Sequence, residues 1–146
     1  MSSRPLSARP WVLLAGLLLV AACSSAEPAP GTRATVGDVV LQVEVARTPE
    51  QQAAGLRGRE VPPGTGMAFP YEPAERVRFT MSEVDRPLVG VFARDGRVLS
   101  VEQMAPCPGS VGQCPLYGPD EPVDLVVEAA PGSLPQARAG DPVVLG

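Results

Sequence analysis

Apolar and polar residues alternate with period two in several short stretches of the chain. Such alternation predicts β-strands that each bury one face. Val39, Leu41, Val43 and Val45 alternate with Val40, Gln42, Glu44 and Ala46, and Val77, Phe79 and Met81 alternate with Arg76, Arg78 and Thr80. Met67 to Tyr71 reads as a short strand broken by Pro70. Leu88 to Arg94 and Arg97 to Met104 flank Asp95-Gly96, the residue pair of a two-residue type I′ hairpin, which sets Arg94 against Arg97 across the turn. Val123, Leu125, Val127 and Ala129 alternate with Asp124, Val126 and Glu128. A last strand, Val143-Val144-Leu145, follows Pro142. The helical signal is confined to one place. Thr48 can cap, Pro49 suits the first helical position and Gln51 completes a capping box, so a helix is expected from Pro49 to about Leu56, stopped by Gly58. Six or seven short strands and one short helix predict a mainly-β chain, a compact single-domain sandwich or barrel-like fold.

The longest apolar run, Trp11 to Ala22, follows Arg4 and Arg9. Twelve residues make roughly 18 Å of helix, too short for a hydrocarbon core of about 30 Å, so the run reads as a signal-peptide core rather than a transmembrane helix. It ends in Val20-Ala21-Ala22-Cys23, which resembles the bacterial lipobox. That resemblance implies cleavage before Cys23 and a lipid on its thiol; the alternative is an ordinary secretory signal with an incidental Cys. Two acyl chains anchor stably where one is marginal. The chain thus divides into a lipoprotein signal peptide (1–22), a Pro-rich tether (23–36) able to reach roughly 40 Å from a membrane, and a mainly-β domain (37–146).

Composition narrows the chemistry. The 146 residues contain 12 bases, all Arg, against 16 acids, and no His. Lys, Asn and Ile are also absent, a bias that suits a GC-rich genome. Without His there is no imidazole base, triad or metal ligand, and without Lys no Schiff base or P-loop. The formal charge of −4 argues against a nucleic-acid partner. No cofactor and no catalytic residue is expected.

Once Cys23 carries lipid, Cys107 and Cys114 remain. In an exported protein such a pair reads as a disulfide that pins a Pro/Gly-rich excursion; redox or metal pairs prefer Cys-x-x-Cys spacing and more ligands. Three further constellations carry chemistry. Arg57, Arg59, Arg76 and Arg78 could form an anion pocket, or a solvated face that balances Glu72, Glu75 and Glu83. Glu83 and Asp85, with Asp95 or Glu102, could supply a carboxylate pair for glycoside hydrolysis, or sit solvated on turns and outward faces. Met67, Met81 and Met104 could offer thioethers to Cu(I), or fill core gaps.

The order of motifs resembles a family of bacterial and archaeal proteins, domain of unknown function 192. Thr48-Pro49-Glu50 with Gly55-Leu56-Arg57-Gly58-Arg59 resembles the family's Thr-x-x-Glu and Gly-Leu-Met-x-Arg. Gly66-Met67-Ala68-Phe69 resembles Gly-Met-Leu-Phe, and Phe79-Thr80-Met81 resembles Phe-Trp-Met. The Cys107 to Tyr117 loop, Val126-Val127-Glu128, Gly132 and Gly140-Asp141 resemble its later segments. The family implies a compact mainly-β domain, often exported, and no known activity. The chain departs from the pattern at Arg57 (usually Met), Thr80 (usually Trp), Ser82-Glu83-Val84 (usually Lys-Asn-Thr) and Val89 (often Asp). Arg59 coincides with the family's Arg. Together with Phe69 and Phe79 it is the best candidate for a shared pocket or core.

The expectation is therefore an exported lipoprotein held to the outer face of the cell membrane by Cys23. Its domain is read as a non-catalytic binding or accessory module at the cell envelope, with an envelope glycan or protein as partner. The alternative is a carboxylate-dependent hydrolase acting on envelope glycans; a Met-based copper(I) protein ranks below both.

Overall fold

A computed structural model describes residues 31–146. The expected signal peptide, Cys23 and most of the expected tether lie outside the described residues. Among these residues nine strands occur, in the order β1 (Thr32–Val36), β2 (Val39–Val45), β3 (Thr65–Glu75), β4 (Phe79–Thr80), β5 (Leu88–Arg94), β6 (Arg97–Met104), β7 (Leu116–Tyr117), β8 (Val123–Ala129) and β9 (Val143–Leu145). Among the described residues one α-helix, α1 (Pro49–Ala54), connects β2 to β3, and a short 3-10 turn, Val111–Gln113, lies in the cysteine loop. The expected mainly-β, barrel-like chain is what is found.

Seven strands form one sheet in the order β6-β5-β8-β3-β2-β1-β9, while β4 and β7 pair separately. β2 and β3 run parallel, with α1 as their crossover. The other neighbours in the sheet are antiparallel. The sheet curls into a half-barrel. Its outer strands meet at one end, where Arg97 bridges Pro142, Val98 N–H donates to Asp141 O (3.0 Å) and Val143 N–H donates to Gly96 O (2.9 Å). At the tip of the β5–β6 hairpin, Asp95 (φ 51°) and Gly96 (φ 71°) adopt the two positive φ values that a type I′ turn demands. Arg94 and Arg97 stand opposite each other, as expected. Leu99 is an extra residue in β6, since Phe92 pairs with Ser100 and Ala93 with Val98; the bulge turns it toward the outside of the sheet.

Two cores result. Inside the half-barrel pack Ala34, Leu41, Val43, Ala68, Val91, Val127 and Val143. Against the outer face of β3, β5 and β8 pack Met67, Phe69, Met81, Val84, Leu88, Phe92, Met104 and Val126. That outer face is covered by α1, by the segment around β4 and by the loop that carries β7. The three central strands therefore have no side in water, and β5 reads as the unbroken apolar run expected of a strand buried on both faces.

Four expectations need correction. The tether ends sooner, because Thr32–Val36 are β1, with Ala34 and Val36 buried and Arg33 exposed; the folded domain begins at 32 rather than 37. The helix stops at Ala54, because Gly55 takes a positive φ (52°) and its N–H closes the last turn on Gln51 O (2.9 Å). Gly58 is thus not the stop, and Leu56 turns into the core. The Val77–Met81 stretch forms only a two-residue ladder, Phe79 to Tyr117 and Thr80 to Leu116. It lies over the sheet rather than within it, though Val77, Phe79 and Met81 do face the core. Finally, Pro70 does not end β3, which resumes pairing at Glu75 after a register shift.

Gly66 on β3 packs against the backbone of β8. A Cβ there would lie 2.1 Å from Glu128 O and 3.3 Å from Ala129 Cα. No side chain can give way, since the obstruction is main chain. Gly66→Ala is expected to cost about 3 kcal/mol in urea unfolding. Gly112→Ala, where nothing lies within 4 Å, is expected to stay within about 0.5 kcal/mol.

Candidate functional site

A cleft of about 360 Å³ opens between the outer face of the sheet and its cover. Its floor is Phe69 on β3, Glu128 on β8 and Leu88 on β5. One wall is α1 and the turn after it, from Gln52 to Arg57; the other runs from Val77 to Thr80 and includes Val84.

Local chemistry holds each wall. The capping box at the start of α1 is formed in both directions: Gln51 N–H donates to Thr48 Oγ1 (3.2 Å), and Thr48 N–H donates to Gln51 Oε1 (3.1 Å). Gln52 Nε2 then ties the helix to the sheet by donating to Pro70 O (3.1 Å) and Ala46 O (3.4 Å). The opposite wall is held by aromatic contacts and by the cysteine loop. All three phenylalanines of the chain form one edge-to-face series, with Phe69 to Phe79 at 5.0 Å and Phe79 to Phe92 at 5.7 Å. Cys107 and Cys114 are joined, as expected (Cα–Cα 5.9 Å). Cys107 brackets the wall segment, accepting from Glu83 N–H (3.0 Å) and donating to Val84 O (3.1 Å), while Ser82 Oγ donates to Gly109 O (2.9 Å). The disulfide loop therefore clamps one wall of the cleft.

The four Arg that could form an anion pocket do not converge. Arg57 and Arg78 reach the mouth of the cleft from opposite walls. Arg59 lines a separate, broader depression of about 910 Å³ beside β2, paired with Glu44. Arg76 is exposed and lines neither. The two at the mouth are also engaged. Arg57 pairs with Glu83 (3.3 Å) and donates to Ala53 O. Arg78 pairs with Asp120 and donates to Pro119 O. Phe69 and Phe79 do share the cleft, so they are walls as well as core.

The proposed carboxylate pair does not assemble either. Glu83 is exposed and bound to Arg57, and Asp85 pairs with the neighbouring Arg86 (3.2 Å). Asp95 sits at the hairpin tip, its N–H held by Asp124 Oδ2 (2.7 Å), and β5 places that tip about 20 Å from the Leu88 end. Glu102 accepts from Gly118 N–H (3.0 Å). The three methionines are 5 %, 1 % and 1 % exposed and pack with Phe92 and Leu88 in the outer core, which is a packing role.

The residue that the alternation hid is Glu128. It is 5 % exposed and lies between Met67 and Gly90 on the neighbouring strands, in the same row of the sheet. Among the described residues no hydrogen bond or ion pair reaches its carboxyl, and the group faces the cleft. Burial alone pushes its pKa up from 4.5 to about 7. Tyr71, also in the cleft, is pushed up to about 12, first by burial and then by the charges of Glu75 and Glu128. Its phenol is therefore a neutral donor at any physiological pH. A neutral donor beside a lone buried carboxyl, between apolar walls, is the ordinary make-up of a small-molecule site. A signal for it was present in the sequence: Glu128 stands inside Leu125-Val126-Val127-Glu128-Ala129-Ala130, an otherwise apolar run.

The fold and site together define a class: a curled antiparallel-rich sheet with a packed interior and a disulfide-clamped cover that leaves a cleft over the outer face. Residues 32–145 match the family DUF192, described as "Uncharacterized ACR". The chain belongs to that family. A protein of unknown function from Novosphingobium aromaticivorans DSM 12444 has a similar solved structure: TM-score 0.67, 28 % identity, covering 77 % of this chain and 83 % of that one. A Sinorhizobium meliloti 1021 protein described as a "putative transcription regulator" shares the fold at TM-score 0.67 and 24 % identity, covering 82 % of this chain and 97 % of that one. No curated protein matches. Arg57, Thr80 and Val84 line the cleft, and Glu83 is the partner of Arg57.

Glu128 sets a pH dependence of stability. Its folded pKa (about 7) lies above its ordinary value of 4.5, so between these values the folded state keeps a proton that the unfolded state has released. Below pH 4.5 the carboxyl is neutral in both states and no charge is buried; the penalty for burying its charge grows as pH rises and is complete above about pH 7, a loss of about 3 kcal/mol. Glu128→Gln is expected to remove most of this loss. Urea unfolding of both proteins at pH 5 and pH 8 checks it.

Proposed function

We propose that this chain is an exported lipoprotein, anchored to the outer face of a bacterial membrane by lipid on Cys23. Its domain serves at the cell envelope as a non-catalytic module that takes a small molecule, or one group of an envelope glycan or protein, into the cleft over β8. The observation that carries the binding reading is Glu128, a residue 5 % exposed whose carboxyl opens only to the bottom of the cleft and meets no protein donor among the described residues. Leaving such a group unpaired costs stability, and a ligand that pairs with it recovers that cost. The anchor rests on the sequence: a short apolar run after two Arg, then Val20-Ala21-Ala22-Cys23. The formal charge of −4 speaks against DNA as the partner.

A second reading, a carboxyl-dependent hydrolase of envelope glycans, draws on the same residue. A carboxyl that holds its proton to about pH 7 suits a general acid. Glu83, Asp85, Asp95 and Glu102 are each engaged elsewhere, so the partner carboxylate that such hydrolysis uses is not among them.

Ala54 is exposed on α1 and lines the cleft, so a large side chain there fills the cleft without disturbing the core. The uncharged fluorophore N-phenyl-1-naphthylamine is expected to brighten on binding the full chain, and Ala54→Trp to abolish the effect with thermal stability unchanged. Equal brightening in both proteins would sink the cleft as a binding site. For the anchor, Cys23→Ser is expected to move the protein from the membrane fraction to the medium. Release of glycan fragments by the wild-type chain but not by Glu128→Gln would favour the hydrolase.

A further inference from the structure

We infer that the cleft over β8 is built for an organic cation, an ammonium or substituted ammonium head on a small apolar body. This rests on the cleft being the binding site, and goes further by choosing among anionic, neutral and cationic ligands.

The choice follows from what the site lacks. Glu128 is 5 % exposed, and its carboxyl opens to the cleft without meeting a donor among the described residues. The charged groups that line the cleft with it are Arg57 and Arg78, and each is committed to its own acid, Glu83 and Asp120. Tyr71, its phenol uncharged up to about pH 12, is the other titratable group in the cleft. Across the ladder Glu128 faces Met67 and Gly90, neither of which titrates. An anion would meet the one unpaired acid in the site and would have to draw Arg57 or Arg78 off its partner. A neutral ligand would recover an ordinary hydrogen bond. A cation would recover more: a charge-assisted hydrogen bond, roughly twice as strong, where it carries N–H, and direct Coulomb attraction to the carboxylate where it is quaternary. Phe69, Phe79 and Tyr71 supply the aromatic surface that attracts such a head. The volume, about 360 Å³, is at the small end for ligand sites, which fits a compact head and body. The net negative charge of the chain draws the same class of ligand toward the surface.

A cation should bind the ionised carboxyl, so affinity should rise with pH as Glu128 loses its proton. A quaternary ammonium isolates the protein's part, because the probe itself does not titrate. The full chain in detergent is titrated calorimetrically with benzyltrimethylammonium and with its uncharged carbon isostere, neopentylbenzene. At pH 8.5 the cation is expected to bind at least about tenfold tighter than the isostere, and to lose about tenfold of that affinity by pH 6 while the isostere stays level. Glu128→Gln is expected to erase both the preference and the pH dependence and to leave isostere binding in place. That last result separates a lost charge from a lost fold. Equal affinity for the two probes, tighter cation binding at low pH, or an unchanged preference in Glu128→Gln would each overturn the inference. Binding of the isostere alone would overturn it while the cleft stands as a site. Failure of both probes would remove the cleft as well.

Discussion

Val127 and Ala129 point into the half-barrel, while Val126 and Glu128 point to the opposite face. Neither side of β8 is left to water. A sheet that curls on itself to bury one face of its central strands exposes the other, and here that outer face is also apolar: Phe69, Phe92, Leu88 and Met104 stand on it beside Val126. It has to be covered. The chain provides the cover from three short, irregular pieces, α1, the β4 segment and the cysteine loop. Such pieces bury little by themselves, so each is fastened separately, by Gln52 to the sheet, by the phenylalanine series and by the disulfide. The cleft is where these fastened pieces do not close over the strand beneath.

The same double burial decides what could be read in the sequence. Strands with one wet face declare themselves by alternation, as β2 does. The hairpin declares itself by Asp95-Gly96, whose backbone demands are local, and α1 by its capping box, which is equally local. The cysteine pair needed only its compartment. What could not be read was set by tertiary contact. β1 hid in a Pro-rich leader because its inward residues include Ala34, too small to stand out, and its partners β2 and β9 are needed to see it as a strand. Alternation sets Glu128 on the face opposite Val127 and Ala129 without saying whether that face is wet. The Arg residues were grouped by sequence proximity, but α1 and the strands that follow distribute them over two depressions and open surface.

The candidate site combines a legible part with an illegible one. Phe69 and Phe79 were identified from motifs, and they form its aromatic surface. Its chemistry lies in Glu128 and Tyr71, which emerge only when β3, β8 and the cover are assembled. The two parts also differ energetically. The phenylalanines stabilise the fold wherever they pack, by area and by edge-to-face contact. Glu128 works against the fold, since a valine or glutamine in its place would avoid the desolvation that raises its pKa. A group that weakens the domain and lines its cleft is where function and stability pull in opposite directions.

The rim of the cleft is held differently from its floor. Arg57 and Glu83 form a salt bridge from one wall to the other. Thr80 stands beside Phe79 on the second wall. The floor is constrained more tightly, because Glu128 is bound into the sheet by its main chain and Gly66 admits no side chain against that same carbonyl. The backbone under the carboxyl is thus fixed by packing, while the residues that control entry sit on exposed ends of α1 and the β4 segment, where substitution disturbs little. A domain built in this way can change what reaches the buried acid without rebuilding the strand that presents it.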